Sequence, residues 1–146
     1  MYGFNNTYGL AVCKEIAEKY NLKTYLELKV IASQLVFGGG YDFYERKDGY
    51  EALCNGYGLS FKGAKGMDIE LKYQAINQKE IDIMVVFTID GQLSVSDITV
   101  LKDDKNFFLL YLCGDVIRLK VLNKHPELKD IFENLTNIIT DKNMEK

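Results

Sequence analysis

Residues 81–112, IDIMVVFTIDGQLSVSDITVLKDDKNFFLLYL, carry the clearest strand pattern of the chain. Apolar runs of strand length occupy 81–89 and 107–112, and apolar and polar residues alternate between them at 92–101. An Asp-Gly pair and the polar segment KDDKN separate the three runs, and such breaks are typical of turns. The pattern predicts three consecutive antiparallel strands.

The neighbouring segments are expected to extend the same sheet. The residues from Met67 alternate through MDIELKYQAI, and residues 116–122 alternate again, as expected for strands with one buried face. These segments predict an antiparallel β-sheet (a meander) over 67–122. Farther on, apolar residues recur at helical spacing and predict a C-terminal helix at 127–139.

Two helices are predicted before the sheet. Apolar residues recur every three to four positions near 10–20. A second helix is predicted at 24–37, because Thr24 stands three residues before Glu27, the spacing of a capping box. The glycines that follow are expected to end this helix. The predicted fold class is therefore α+β, an antiparallel β-sheet (meander) with two N-terminal helices and one C-terminal helix, in a single domain of 1–146.

A segment rich in glycine and tyrosine, 41–66, lies between the helical pair of 1–40 and the sheet. Asp48-Gly49 is a strong signal for a two-residue turn, so a twisted β-hairpin is predicted here. The glycines of this region follow a helix and precede a strand, whereas a phosphate-binding loop has the reverse order. Their expected role is therefore in the backbone of the hairpin.

The predicted hairpin also contains the candidate binding residues. Tyr44 and Arg46 are two positions apart and would share one face of a strand, while Tyr50 and Tyr57 could extend an exposed aromatic surface. Tyrosine and arginine are favoured at protein interfaces, and the same pair can stack a nucleic-acid base. The alternative is that these tyrosines form a half-buried sheet face. We predict that Tyr44, Arg46, Tyr50 and Tyr57 form a partner-binding site.

Composition argues against several classes of function. The net charge is −3, and most of the acidic residues lie in 67–146, so a basic surface for nucleic acid is not expected. The 3 cysteines are far apart and the chain has 1 histidine, which argues against a disulfide framework and a zinc site. His125 is expected to be structural or exposed to solvent. Because no nucleophile has an evident activating base, no enzyme activity is predicted. No metal and no cofactor are predicted either.

The amino terminus lacks the basic and apolar regions of a signal peptide. No run approaches the roughly 20 apolar residues of a membrane span. A cytoplasmic location without membrane contact is therefore expected.

Residues 85–112, VVFTIDGQLSVSDITVLKDDKNFFLLYL, resemble the core of the SpoVG family, the small stage V sporulation/septation regulators. An apolar strand ending in Thr88, an acidic turn and a strand carrying Asp97-Ile98 occur in the family's order. The resemblance covers about 69–140 and implies a β-meander followed by a helix, and a homodimer. The chain lacks the proline and the basic cluster associated with nucleic-acid binding in that family, and residues 1–66 have no counterpart in it.

Three functions follow as alternatives. The first is a non-enzymatic inhibitor, of the immunity or phage anti-defence type, that occludes a macromolecular partner; a small acidic domain without chemistry favours it. The second is a SpoVG-like nucleic-acid-binding regulator. The third is a small protein that sequesters a nucleotide in a pocket lined by tyrosine and glycine. We predict the first, with a protein as the partner and with assembly as a homodimer.

Overall fold

The computed structural model describes residues 2–144, and Met1, Glu145 and Lys146, at the ends of the predicted single domain, lie outside the described residues. The described chain contains a five-stranded sheet with the order β3-β2-β4-β1-β5. The strands are β1 (Tyr8–Cys13), β2 (Val36–Gly40), β3 (Gly63–Met67), β4 (Ile83–Phe87) and β5 (Ile98–Leu101). β2 is parallel to β3 and β4, whereas β1 is antiparallel to β4 and β5. The α+β class is confirmed, with a mixed sheet in place of the antiparallel meander.

Helices lie between and after the strands. They are α1 (Lys14–Tyr20), α2 (Tyr25–Leu28), α3 (Tyr41–Glu45), α4 (Tyr50–Tyr57), α5 (Lys72–Asn77), α6 (Leu119–Lys124), α7 (Glu127–Glu133) and α8 (Asp141–Met144). Short 3-10 turns occupy Ala32–Gln34, Ile69–Leu71 and Gly91–Ser94. Within 2–144, no helix has both the length and the apolar character needed to cross a membrane.

The helix predicted at 10–20 is correct only from Lys14 onward. The residues before it belong to β1, in which Leu10, Ala11 and Val12 are all buried. β1 lies between two other strands, and helices and loops cover both of its faces. A strand buried on both faces has a continuous apolar run, and periodicity alone does not distinguish such a short run from a helix.

The capping box of Thr24 and Glu27 is confirmed, since both of its reciprocal hydrogen bonds are present. The helix that it starts, α2, has only 4 residues, and the chain then enters β2. The predicted end of this helix at residue 37 is therefore wrong. A Cβ on Gly38 would lie 2.4 Å from Cδ1 of Ile81, so this glycine permits close packing of β2 and does not stop a helix.

The hairpin predicted at 41–66 is wrong, because α3 and α4 occupy half of this segment. α4 buries Leu53 and Tyr57, which are four residues apart and therefore lie on one face of a helix. Gly58 ends the helix with a φ of 65°, the left-handed conformation common at this position. Gly49 has a φ of −95°, so the predicted primed turn is not formed.

The meander predicted over 67–122 is also wrong. β4 and β5 are present, but β1 lies between them in the sheet. The segment after Met67 forms a 3-10 turn and α5, in which Tyr73 and Ile76 are buried. Their spacing of three residues fits one face of a helix. The sequence of this segment is therefore as compatible with a helix as with the predicted strand.

The segments after β5 differ from the prediction as well. Residues 107–112 form no strand, apart from an isolated pair between Asn5 and Leu112. The strand predicted at 116–122 ends inside α6, and α7 covers only the first part of the helix predicted at 127–139. We call residues 107–113 the return segment, because they run back along the edge of the sheet where β1 begins.

Apolar side chains pack on both faces of the sheet. The larger cluster includes Leu10, Tyr25, Phe37, Phe43 and Leu53. The smaller cluster, on the side of α5, includes Ala11, Ile76, Met84 and Val86. Successive residues of β1 and β4 contribute to opposite clusters, as successive residues of a strand should.

Alkaline pH is expected to unfold the chain. Burial raises the pKa of Tyr25, Tyr44, Tyr57 and Tyr73 and raises that of Tyr50 to about 12. An unfolded tyrosine has a pKa of about 10, so the unfolded state loses these protons first. The stability that they contribute is complete below pH ~10 and is lost as the pH rises towards the folded-state pKa values.

Circular dichroism during an alkaline titration checks this expectation. Cooperative loss of the folded signal should begin above pH ~10, where the unfolded tyrosines ionise. A native signal that persists above pH ~12 would contradict the coupling of these side chains to folding.

Candidate functional site

The candidate site lies at the edge of the sheet where β2 and β4 end and β1 begins. Tyr8, the first residue of β1, pairs with Phe87, the last residue of β4. The two rings stack with their centroids 4.9 Å apart. In open sheets, ligands usually bind beyond the carboxyl ends of the parallel strands, so this aromatic pair occupies a favourable position for binding.

A cleft of about 570 Å³ opens between the aromatic pair and the return segment. Its walls include Phe4, Tyr8, Arg46, Phe87, Ile89 and Tyr111. Asn6 also lines the cleft, and its Oδ1 is buried without a hydrogen-bond partner among the residues described. A mostly apolar and aromatic wall with a few polar groups is typical of a small-molecule site.

A second cleft, of about 630 Å³, lies at the opposite edge of the sheet between α1, α5 and the start of β5. Its lining contains Cys13, Glu15, Lys79 and Asp97 but no aromatic residue. The ammonium of Lys79 is already paired with Glu15 at 2.9 Å. The aromatic cleft is therefore the better candidate, although it is slightly smaller.

Hydrogen bonds hold the two walls of the aromatic cleft together. The Thr88 hydroxyl donates to the Asn5 carbonyl at 3.0 Å and accepts from the Thr7 backbone N–H at 3.3 Å. The Thr7 hydroxyl donates to the Leu109 carbonyl at 2.8 Å. The Tyr111 backbone N–H donates to Oδ1 of Asn5 at 2.6 Å. The residues before β1 thus connect the end of β4 to the return segment.

Arg46 is the cation in this cleft. Its Nε and Nη2 donate to the Asp48 carboxylate at 2.9 and 2.7 Å, and Nη2 also donates to the Tyr111 hydroxyl at 3.1 Å. Its guanidinium carbon lies 5.5 Å from the centroid of the Tyr8 ring. These hydrogen bonds from Arg46 lower the pKa of Asp48. Within 2–144 the Nη1 group of Arg46 makes no hydrogen bond. The planar, permanently charged guanidinium is therefore held in place with its Nη1 end free to donate to a carboxylate.

The whole chain matches one protein family. A family described as the substrate binding domain of the ABC-type glycine betaine transport system covers residues 1–146. The chain belongs to this family. As a substrate-binding domain it is not an enzyme, which confirms the prediction made from its lack of an activated nucleophile.

Curated relatives support the same assignment to the substrate-binding domains. The ergothioneine transport permease/ergothioneine binding protein of Helicobacter pylori (strain G27) is 41% identical over 145 residues, which are 99% of this chain and 26% of the relative. The carnitine transport binding protein of Listeria monocytogenes is 35% identical over 146 residues, 99% of this chain and 47% of the relative. The chain thus spans between about a quarter and a half of the length of these relatives.

A solved structure agrees with this substrate-binding fold. The crystal structure described as a glycine betaine/carnitine/choline ABC transporter has a TM-score of 0.81 and 38% identity. The match covers 99% of this chain and 53% of that chain.

Membership in the substrate-binding family corrects several predictions. The SpoVG resemblance is wrong, because 85–112 is not a meander: β1 separates β4 from β5, and the third predicted strand is absent.

The predicted inhibitor is wrong, as is the nucleic-acid-binding alternative. The third alternative also predicted a small-molecule ligand, but it specified a nucleotide. The expected protein partner and the expected homodimer are wrong, since members of this family bind a solute for a transport system. The cytoplasmic location is wrong for the same reason.

Of the four residues predicted to bind a partner, Arg46 alone lines the aromatic cleft. Tyr44 is half-buried, donates its hydroxyl to the Lys65 carbonyl at 3.0 Å and packs on Tyr50 with ring centroids 5.1 Å apart. Tyr57 is buried and donates its hydroxyl to Asp103. The three tyrosines therefore contact other parts of the domain, and the helical geometry of α3 and α4 separates them from Arg46.

The sequence prediction did not include the aromatic pair, Tyr111 or the polar residues before β1. A signal for the last group is present in FNNTY at 4–8, where three polar residues stand between two aromatic ones and lead into a buried strand. Tyr111 had no local signal as a site residue, because it reaches Arg46 across 65 positions of sequence.

Proposed function

We propose that the aromatic cleft binds a betaine, a small solute that carries both a carboxylate and a quaternary trimethylammonium group, for an ABC-type transport system. The observation that carries this proposal is the guanidinium of Arg46, which Asp48 and Tyr111 hold at the wall of the cleft with Nη1 free. Glycine betaine, carnitine and ergothioneine, named for the family and its relatives, share this pair of groups.

Each part of the cleft has a role in this proposal. The free N–H groups of Arg46 donate to the ligand carboxylate. Such charge-assisted hydrogen bonds are stronger than those between neutral groups. The apolar wall of Phe4 and Ile89 contacts the carbon chain of the solute. The trimethylammonium group lies against the aromatic rings of Tyr8, Phe87 and Tyr111, because an aromatic face attracts a cation.

We further propose that protein outside these 146 residues completes the site. The return segment, α6 and the residues between them expose large apolar side chains, among them Leu109, Leu110, Leu112, Val116 and Leu119. Such a concentration of exposed apolar residues is typical of a surface that another protein segment covers. The greater length of the curated relatives supports the same proposal.

A titration of the ¹⁵N-labelled chain, followed by NMR, tests the proposed function. Glycine betaine, carnitine and ergothioneine are expected to shift the signals of Tyr8, Arg46 and Tyr111. Choline has the trimethylammonium group without the carboxylate and should bind more weakly. The absence of shifts with all three betaines, or an equal affinity for choline, would contradict the proposal.

A further inference from the structure

The turn between β5 and the return segment is attached to the end of α4 by hydrogen bonds. The hydroxyl of Tyr57, the last residue of α4, donates to Oδ1 of Asp103 and accepts from the Lys105 backbone N–H at 2.7 Å. The Lys105 ammonium donates to the Gly56 carbonyl at 2.6 Å. Because Tyr57 is only 2% exposed, its hydroxyl needs partners inside the protein, and the turn supplies them.

The other carboxylate oxygen of Asp103 holds the start of the return segment. Its Oδ2 accepts from the Phe108 backbone N–H at 3.0 Å. One side chain therefore joins the end of α4 to the second residue of the return segment, through hydrogen bonds that the charge of the carboxylate strengthens. The adjacent Asp104 accepts from the Leu26 backbone N–H at 2.9 Å, which attaches the same turn to the start of α2.

Phe108 extends this attachment to the aromatic cleft. Its ring lies 5.7 Å from the ring of Tyr8 and 6.3 Å from that of Phe43, measured between centroids. The rings of Phe43 and Tyr8 are themselves 5.3 Å apart. Tyr8 is the ring next to the guanidinium of Arg46, at 5.5 Å. The position of Phe108 therefore limits the orientations that the Tyr8 ring can adopt.

The return segment then brings Tyr111 to the same ring. The Tyr111 hydroxyl accepts from Nη2 of Arg46 at 3.1 Å, and its ring meets that of Tyr8 edge-on at 6.3 Å. Tyr111 follows Phe108 by three residues, and three residues of chain span at most about 11 Å. The position of Phe108 therefore restricts that of Tyr111, so the bond from Asp103 constrains both aromatic neighbours of Tyr8.

A purely structural role explains the tyrosine–aspartate pair only in part. The Tyr57 ring packs on Tyr25 and Phe107, with centroids 5.3 and 6.4 Å apart. Phenylalanine would keep these contacts and would have no hydroxyl to satisfy, and replacing both partners of a buried hydrogen bond by apolar groups can be nearly neutral. What the pair adds is a fixed geometry, because a satisfied polar network makes its surroundings rigid.

We infer that Tyr57 and Asp103 are positioning residues of the proposed betaine site. They fix the start of the return segment, and Phe108 and Tyr111 then hold the ring of Tyr8 in place before a ligand binds. This inference rests on the proposed binding of a betaine. Neither positioning residue touches the ligand; both act by pre-organisation, which increases affinity because less of the site has to be ordered on binding.

Calorimetric titration with glycine betaine compares the wild-type chain with Tyr57→Phe, Asp103→Ala and Asp103→Asn. The first two should weaken binding by about tenfold, the scale of one hydrogen bond. Asp103→Asn keeps a carbonyl oxygen for the Phe108 N–H and should recover part of the affinity. The matched control is Tyr44→Phe, which removes the same hydroxyl from a bond to the Lys65 carbonyl away from the return segment. It should bind as the wild type does.

Backbone amide signals of the ligand-free, ¹⁵N-labelled chains provide a readout that a merely structural role would not change. In Tyr57→Phe, the signals of Leu109 and Tyr111 should move from their wild-type positions while the circular dichroism spectrum stays that of the folded chain. In the control Tyr44→Phe, both signals should keep their wild-type positions.

Wild-type affinity or unshifted return-segment signals in Tyr57→Phe would overturn the inference, as would an equal loss of affinity in Tyr44→Phe. If Tyr57→Phe does not fold, the hydroxyl serves the fold and the positioning role is rejected. A wild-type chain that binds no betaine would refute the proposed function itself. The amide signals of the ligand-free chains distinguish that result from a failure of the positioning role.

Discussion

Replacing Arg46 with glutamine is expected to abolish most of the affinity for a betaine while leaving the domain folded. The substitution removes the donor of the proposed hydrogen bonds to the ligand carboxylate, and a hydrogen bond to a charged group contributes about 1.5–3 kcal/mol. A loss of roughly 10- to 150-fold in affinity should follow. Isothermal titration calorimetry with glycine betaine, carnitine and ergothioneine measures this loss.

The folded state should tolerate the change, because Arg46 and Asp48 are partly exposed, with 37% and 54% of their side chains accessible. Exposed ion pairs of this kind contribute about 0–1 kcal/mol. The matched control is Lys47→Gln, which removes the same charge from the next residue, an exposed one. Wild-type affinity in Arg46→Gln, or an equal loss in Lys47→Gln, would rule out Arg46 as the carboxylate-binding residue.

Replacing Gly49 with alanine is expected to destabilise the domain strongly. Gly49 is buried and is the N-cap residue of α4. A Cβ at this position would lie 1.9 Å from the backbone carbonyl oxygen of Phe43. Because the contact is with backbone, no side-chain rotation relieves it, and α3 and α4 must move apart. Overpacking and backbone shifts of this kind cost about 1–3 kcal/mol and occasionally more.

Urea denaturation gives the free energy of unfolding for this comparison. Gly63→Ala is the control, since a Cβ on Gly63 would have no heavy atom within 4 Å, and it should change stability by less than about 0.5 kcal/mol. Betaine affinity should also fall in Gly49→Ala, because the loop between α3 and α4 carries Arg46 and Asp48. Unfolding midpoints that agree between the two variants would show that the two helices accommodate the methyl group.

The role of Gly49 also illustrates why the hairpin prediction failed. The Asp-Gly pair is a strong turn signal when the glycine needs a positive φ, but here φ is −95°. Gly49 is required for the close approach of two helices, a property of the tertiary packing. A local sequence signal can identify a glycine without revealing which of these two requirements it meets.

The sequence by itself determined the features whose physical cause lies within a few residues. The apolar run of β4 predicted a buried strand, and the capping box of Thr24 and Glu27 predicted a helix start, because both depend on side chains and backbone groups close together in the chain. The lack of an activated nucleophile predicted that the chain is not an enzyme. The α+β class followed from the same local periodicities.

Only the tertiary structure decided the order of the strands and the composition of the site. β1 is a strand because β4 and β5 pair with it on either side, and no short apolar run carries that information. Tyr8, Arg46 and Tyr111 come from three separate segments, and hydrogen bonds such as that between Arg46 and Tyr111, 65 positions apart, bring them together. Periodicity reports which faces are apolar, whereas pairing and packing energies between distant segments select which side chains meet.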